Sequence, residues 1–184
     1  MTQFRGFIAI DVKPFSKIID FENEIKKTGC NIKLVEPENI HITLKFLGDT
    51  QETIINDIEK ILKASTVEIK PFEIKLKGTG VFPNQNYIKV IWIGLKNTDP
   101  ITKIVKNIDT PLSEIGFQRE KREFSPHLTI ARVKTAKNKE SLIRVIENFD
   151  NIEFGDINVD TIKLKKSELT SKGPIYSTLK EIKL

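Results

Sequence analysis

Hydrophobic and polar positions along this chain follow two rhythms. Residues 4–12, FRGFIAIDV, are almost continuously apolar and predict a buried strand. After Pro14 and Ser16 the period lengthens: Ile18, Ile19, Glu22 and Ile25 fall at helical spacing to about Lys27, and Gly29 is placed to end that helix. IKLVE (32–36) predicts a second strand, Pro37 and Asn39 a turn, and IHITLKFLG a third strand. TQETIINDIEKILKAS (50–65) is the clearest helix, with Ile54, Ile55, Ile58, Ile61 and Leu62 on one stripe and Thr50 as its expected N-cap. VEIKPFEIKLKG (67–78) and YIKVIWIGL (87–95) predict strands, and the Gly- and Asn-bearing GTGVFPNQN between them a loop. PITKIVKNIDTPLSEIG (100–116) predicts a helix interrupted or restarted at Pro111. QREKREFSP then reads as a charged loop, HLTIARV as a strand, and KNKESLIRVIENF (137–149) as a helix. INVDTIKLKKSEL (157–169) and IYSTLKEIKL (175–184) close the chain as strands around TSKGP.

Strands and helices therefore occur in both halves, with no linker or low-complexity segment between them. The expectation is one compact α+β unit spanning residues 1–184. A hydrophobic content of 39% with 30% charged residues fits a globular chain. The formal charge of +5 leans toward an anionic partner such as nucleic acid or a nucleotide. A Lys-rich solvated surface accounts for the same number, so charge alone names no partner. Cys30 is the only cysteine, which excludes a disulfide framework or a Cys-based metal cluster within one chain. The opening residues do not read as a signal peptide, and no apolar run approaches the roughly 18–20 residues of a membrane span. A cytoplasmic monomer is expected.

The candidate chemistry lies in a repeat. NIHITLKFLG holds His41 and Thr43; SPHLTIARV holds His127 and Thr129; no other histidine exists in the chain. The two histidines are 86 residues apart, close to half the chain, which suggests a duplicated two-lobe architecture. On a strand, His and Thr at i and i+2 share one face while Ile42, Leu44, Leu128 and Ile130 hold the other to a core. By the same alternation Lys45 shares the face of His41, and Arg132 faces away from His127 unless a bulge intervenes.

Two imidazoles supply a base and an acid near neutral pH, and two hydroxyls supply donors for anionic oxygens. Phosphodiester chemistry needs this set. A metal site is the rival, but two His ligands without a nearby thiolate are sparse and no HExxH is present. GxSxG, Walker A and GxGxxG are also absent.

HITLKFLG and SPHLTIARV resemble the two His-x-Thr-x signatures of the 2H phosphoesterase superfamily, most closely its RNA 2′,3′-cyclic phosphodiesterase branch, historically called 2′-5′ RNA ligase. FRGFIAIDV, GVFPN, YIKVIWIGL and KSELTSKGPIYSTL follow in that family's order, so the resemblance covers nearly the whole chain. It implies two interleaved lobes with pseudo-twofold symmetry, antiparallel sheets lining a central cleft and helices outside. It implies opening of an RNA 2′,3′-cyclic phosphate to a 2′-phosphate, with reversible 2′-5′ joining, and no metal or cofactor. It implies His127 as base, His41 as acid, and Thr43 and Thr129 on the phosphate oxygens.

Arg132 and Arg122 match basic positions flanking the second motif and are candidate phosphate contacts, against surface roles for both. Phe82 is placed in a loop as a candidate base-stacking residue; Trp92 and Tyr176 are divided between core and stacking. Lys45 is a candidate electrostatic contact or a rim lysine. Two other functions stay open: the same chemistry on a small cyclic nucleotide, and a non-catalytic RNA-binding module.

Overall fold

The computed structural model describes residues 2–121, 123–135, 137–171 and 173–184. Along the described residues run β1 (Gln3–Asp11), α1 (Ser16–Lys27), β2 (Asn31–Leu34), β3 (His41–Gln51), α2 (Ile55–Thr66), β4 (Phe72–Asn84) and β5 (Tyr87–Lys96). They are followed by α3 (Asp99–Glu114), β6 (His127–Thr135), α4 (Lys139–Asn148), β7 (Glu153–Val159), β8 (Thr161–Thr170) and β9 (Gly173–Lys183).

All strands join one antiparallel sheet in the order β7-β4-β5-β6-β3-β1-β8-β9, with β2 also on β6. The order is balanced about β6 and β3, the two His-x-Thr strands. Their joint is narrow: Ile42 pairs with Leu128, and further along β6 its partner becomes β2. Helices cross between the halves. α1 follows β1 but packs on α4 and β7, whereas α3 follows β5 but packs on α2 and β3. Each half thus borrows a helix from the other.

The apolar stripes read from sequence are what the helices bury. Ile58 and Leu62 of α2, and Ile101, Ile104, Ile108 and Leu112 of α3, are fully buried. At about 1.5–3 kcal/mol per buried aliphatic side chain, this packing fixes the helices to one face of the sheet. The opposite face carries the polar residues.

Four expectations change. Thr50 is not an N-cap: it lies in β3, its Oγ1 donating to the Gly48 carbonyl (3.0 Å), and α2 starts after a short turn at Glu52–Ile54. GTGVFPNQN is mostly strand, because Gly80 makes room for the Trp92 ring rather than for a turn; a Cβ there would lie 2.2 Å from that ring. The real turn is closed by Asn84, whose Oδ1 accepts the N–H groups of Asn86 and Tyr87 at 3.0 Å each. α3 runs through Pro111, and the Asn107 carbonyl that Pro111 cannot serve accepts the Ser65 hydroxyl instead (3.3 Å). Finally, the run 157–169 splits at Asp160 into β7 and β8.

Candidate active site

Pairing of Ile42 with Leu128 sets the site's geometry. In an antiparallel ladder the residues flanking such a pair face each other, so His41 lies beside Thr129 and Thr43 beside His127. Ile42 and Leu128 are fully buried, and the flanking four point to the other side, each half-exposed. The histidines occupy one diagonal of this quartet, about 7–8 Å apart at Cα, and the threonines the other. Both histidine side chains therefore lie on one shared face of the sheet.

The two strands repeat each other beyond the quartet. Over their first seven positions β3 and β6 share one burial sequence: half, buried, half, buried, buried, exposed, buried. Two successive buried residues mean a bulge in each. On β3 Thr43 pairs with Ala9 and Lys45 with Ile8, leaving Leu44 as the extra residue. On β6 Thr129 pairs with Trp92 and Ala131 with Ile91, leaving Ile130 extra. A one-residue slip moves every later side chain to the opposite face.

Two sequence expectations turn on that slip. Arg132 comes round to the cleft face with His127 and Thr129, and its charge is felt at both His41 and Tyr176. Lys45 goes the other way and is corrected: it is buried, not on the face of His41. Its Nζ donates to Asp109 Oδ1 of α3 (2.5 Å) and to the Gln118 carbonyl (3.0 Å). The position matching Arg132 on β3 is Phe46, which is 72% exposed.

Both imidazoles are oriented alike. His41 Nδ1 lies 2.7 Å from the Asn39 carbonyl and His127 Nδ1 lies 2.8 Å from the Ser125 carbonyl, in each case two residues back. A carbonyl only accepts, so Nδ1 carries the hydrogen and Nε2 is left to exchange a proton. Packing fixes the rings further. Phe7 and Tyr176 stand 5.1 and 5.3 Å from His41, and Phe82 stands edge-on at 4.9 Å from His127.

Charge around His41 is dense. Asp11 pairs with His41 across the β1–β3 ladder and binds the ammonium groups of Lys165 and Lys163. Burial alone would raise the Asp11 carboxyl, but those lysines hold it below the ordinary range. Burial pushes the His41 imidazole below its ordinary value; the Asn39 carbonyl and Asp11 oppose this, while Lys165 and Arg132 add to it. Burial raises the Tyr176 hydroxyl against the pull of Arg132 and Arg5. Among the described residues no three His, Cys, Asp or Glu side chains converge to hold a metal ion.

The remaining candidates divide. Phe82 lies on β4 rather than in a loop, yet it does reach the site through His127. Tyr176 lines the site beside His41. Trp92 forms the floor next to Thr129, its ring 5.2 Å from Phe82 and its Nε1 buried without a partner among the described residues. Arg122 lies outside the described residues. Asp11, Lys165, Arg5 and Phe46 were not anticipated. Asp11 carries a signal, a carboxylate ending a buried strand, while simple alternation puts Phe46 on the face of Ile42 and Leu44.

The family model described as AKAP7 2′5′ RNA ligase-like domain matches residues 8–184. A protein of Methanocaldococcus jannaschii named RNA 2′,3′-cyclic phosphodiesterase is 47% identical over 179 residues, covering 96% of this chain and 99% of that relative. One of the same name from Methanothermobacter thermautotrophicus is 37% identical over 182 residues, covering 98% of each. Among solved structures, TT0787 of Thermus thermophilus superposes with a TM-score of 0.77 at 24% identity, covering 98% of this chain and 97% of that one.

Proposed function

This chain belongs to the AKAP7 2′5′ RNA ligase-like family, and from that premise we propose that it opens 2′,3′-cyclic phosphate ends of RNA to 2′-phosphates. The names of its near-full-length relatives support the reading. The observation that carries it is the quartet: two imidazoles on one diagonal, each with Nδ1 tied to a carbonyl and Nε2 without a partner among the described residues, and two hydroxyls on the other.

In the reaction a water attacks phosphorus and the bond to the 3′ oxygen breaks. His127 Nε2 takes the proton of the attacking water, and the His41 imidazolium gives its Nε2 proton to the departing 3′ oxygen. Thr43, Thr129 and the Arg132 guanidinium donate to the non-bridging oxygens, where negative charge builds. Joining is the same displacement with a 5′ hydroxyl in place of water: His127 takes the hydroxyl proton, the oxygen bonds to phosphorus, and the 3′ oxygen leaves with the proton from His41. In the reverse reaction, cleavage of the 2′-5′ bond by the 3′ hydroxyl, the two histidines exchange roles. The test is an oligonucleotide ending in a 2′,3′-cyclic phosphate, incubated with chelator. A 2′-phosphate product is expected; a 3′-phosphate product, or activity abolished by chelation, contradicts the mechanism.

The role of His41 makes a pH prediction. A general acid must be protonated, so kcat/KM falls as pH rises through its free-enzyme pKa. Burial puts that alkaline limb below the ordinary imidazole value of about 6.5. The Asp11 carboxylate favours the imidazolium, so Asp11→Asn moves the limb to lower pH; the Lys165 ammonium disfavours it, so Lys165→Gln moves it higher. Limbs that stay in place, or move in the opposite senses, would show that His41 is not the titrating acid.

A further inference from the structure

The cleft face does not end at the quartet. Past His41 it continues along β1 and β3 toward Arg5 and Phe46. Phe46 pairs with Phe7 across the ladder, on the face where Phe7 touches His41 and Tyr176. It is a large apolar ring with 72% of its surface in solvent, turned there by the Leu44 bulge. Arg5 lies two residues from Phe7 on the same strand and face, pairs with Ser167 of β8, and is exposed. Asp49 stands across from it on β3, yet among the described residues the Arg5 guanidinium makes no ion pair. Its charge is felt at the Tyr176 hydroxyl, beside His41.

The pseudo-twofold symmetry is broken at this point. Where β6 presents Arg132 beside the quartet, β3 presents Phe46. A phosphate between the histidines is thus met by a cation from one half, and from the other by an aromatic surface with a second cation beyond it. Counted on β1, Phe46 is two ladder positions beyond Thr43 and four from His41, about 7 and 13 Å along the strand at 3.3 Å per residue, as Arg132 is two beyond Thr129 and four from His127. Tyr176, against His41, covers the nearer ground where the nucleoside bearing the cyclic phosphate must sit.

We infer that Phe46 and Arg5 form a subsite for the nucleotide immediately 5′ of the cyclic-phosphate nucleotide, its base stacked on Phe46 and its phosphodiester held by Arg5. The occupant follows from the chemistry: a flat, uncharged stacking platform beside a guanidinium with no ion-pair partner among the described residues matches a base and its phosphate. The site is continuous with the quartet through Phe7 and Tyr176. Resting on the phosphodiesterase reading, it adds that this protein selects polynucleotide ends over cyclic mononucleotides.

The experiment compares kcat/KM for a mononucleotide 2′,3′-cyclic phosphate and for a trinucleotide with the same cyclic end, in wild type, Phe46→Ala and Arg5→Gln. Wild type is expected to prefer the trinucleotide. In Phe46→Ala the trinucleotide-to-mononucleotide ratio falls by roughly ten-fold or more, the scale of one base–aromatic contact. In Arg5→Gln the ratio also falls, and the dependence of log kcat/KM on log salt for the trinucleotide becomes shallower by about 0.7, one phosphate contact. Equal losses on both substrates would place these side chains against the terminal nucleotide and overturn the subsite, as would an unchanged ratio. Absence of turnover on either substrate by wild type would overturn the phosphodiesterase reading and the subsite with it. Both substituted residues are exposed, so their loss does not endanger the fold.

Discussion

His41→Ala and His127→Ala are each expected to lower kcat/KM on a 2′,3′-cyclic phosphate end by about 10²–10⁴-fold with the fold retained. The size follows from the division of labour in the quartet. Each ring has one nitrogen committed to a backbone carbonyl and one available for proton transfer. No other imidazole exists in the chain to replace either. The two losses should not add: with base and acid serving one displacement, the double variant falls little below the worse single one. Each single variant should also lose one limb of the pH profile, the alkaline limb for His41→Ala and the acid limb for His127→Ala. Full activity in either variant would remove the mechanism. A loss matched by unfolding, followed by circular dichroism, would instead make the histidine structural.

Sequence made the quartet legible because its signal does not depend on tertiary detail. Two His-x-Thr repeats use every histidine, and strand alternation places each pair on one face whatever the strand's neighbours are. The architecture was legible for a similar reason: long helical stripes and β-branched runs state their period locally. What stayed hidden lies past the bulges. Alternation carried Lys45 onto the cleft face and Arg132 off it, and the slips at Leu44 and Ile130 reversed both. On β6 the slip left a trace, since Ile130 and Ala131 are consecutive small or apolar residues followed by Arg132. On β3 the trace was masked, because the second buried position holds a lysine. The same masking hid Phe46, an aromatic in an apolar run that looks like core until the slip turns it outward. Asp11 and Lys165 were hidden differently. Their proximity to His41 comes from the β1–β3 and β1–β8 ladders, which join residues far apart in sequence. Turn formers misled at Gly80, where the missing side chain serves Trp92.

Lys45 gives the second large effect, on stability rather than chemistry. Asp109→Ala is expected to destabilise the protein by about 3 kcal/mol, the low end for a broken buried ion pair. The Lys45 side chain is 4% exposed and the Asp109 side chain 22%. Removing the carboxylate leaves an ammonium inside the protein with the Gln118 carbonyl to accept from it, whereas removing the lysine leaves a carboxylate that water reaches and that still accepts the Glu120 N–H (3.2 Å). Lys45→Met should therefore cost less than Asp109→Ala. Replacing both, Lys45→Met with Asp109→Leu, should restore most of the loss, because neither charge is then stranded. The pair's contribution also has a pH window. Burial alone would raise the Asp109 carboxyl, but Lys45 and the Glu120 amide hold it below the ordinary range. Its stabilisation is present above the ordinary carboxylate pKa and is lost as pH falls through the lowered one. Urea unfolding of the three variants at neutral and acid pH measures each step. The double variant also separates structure from catalysis: Lys45 faces α3, away from the quartet, so the refolded pair-less protein should hydrolyse the cyclic end at close to the wild-type rate. A folded double variant as impaired as His41→Ala would return Lys45 to the chemistry and contradict the bulge that turns it inward.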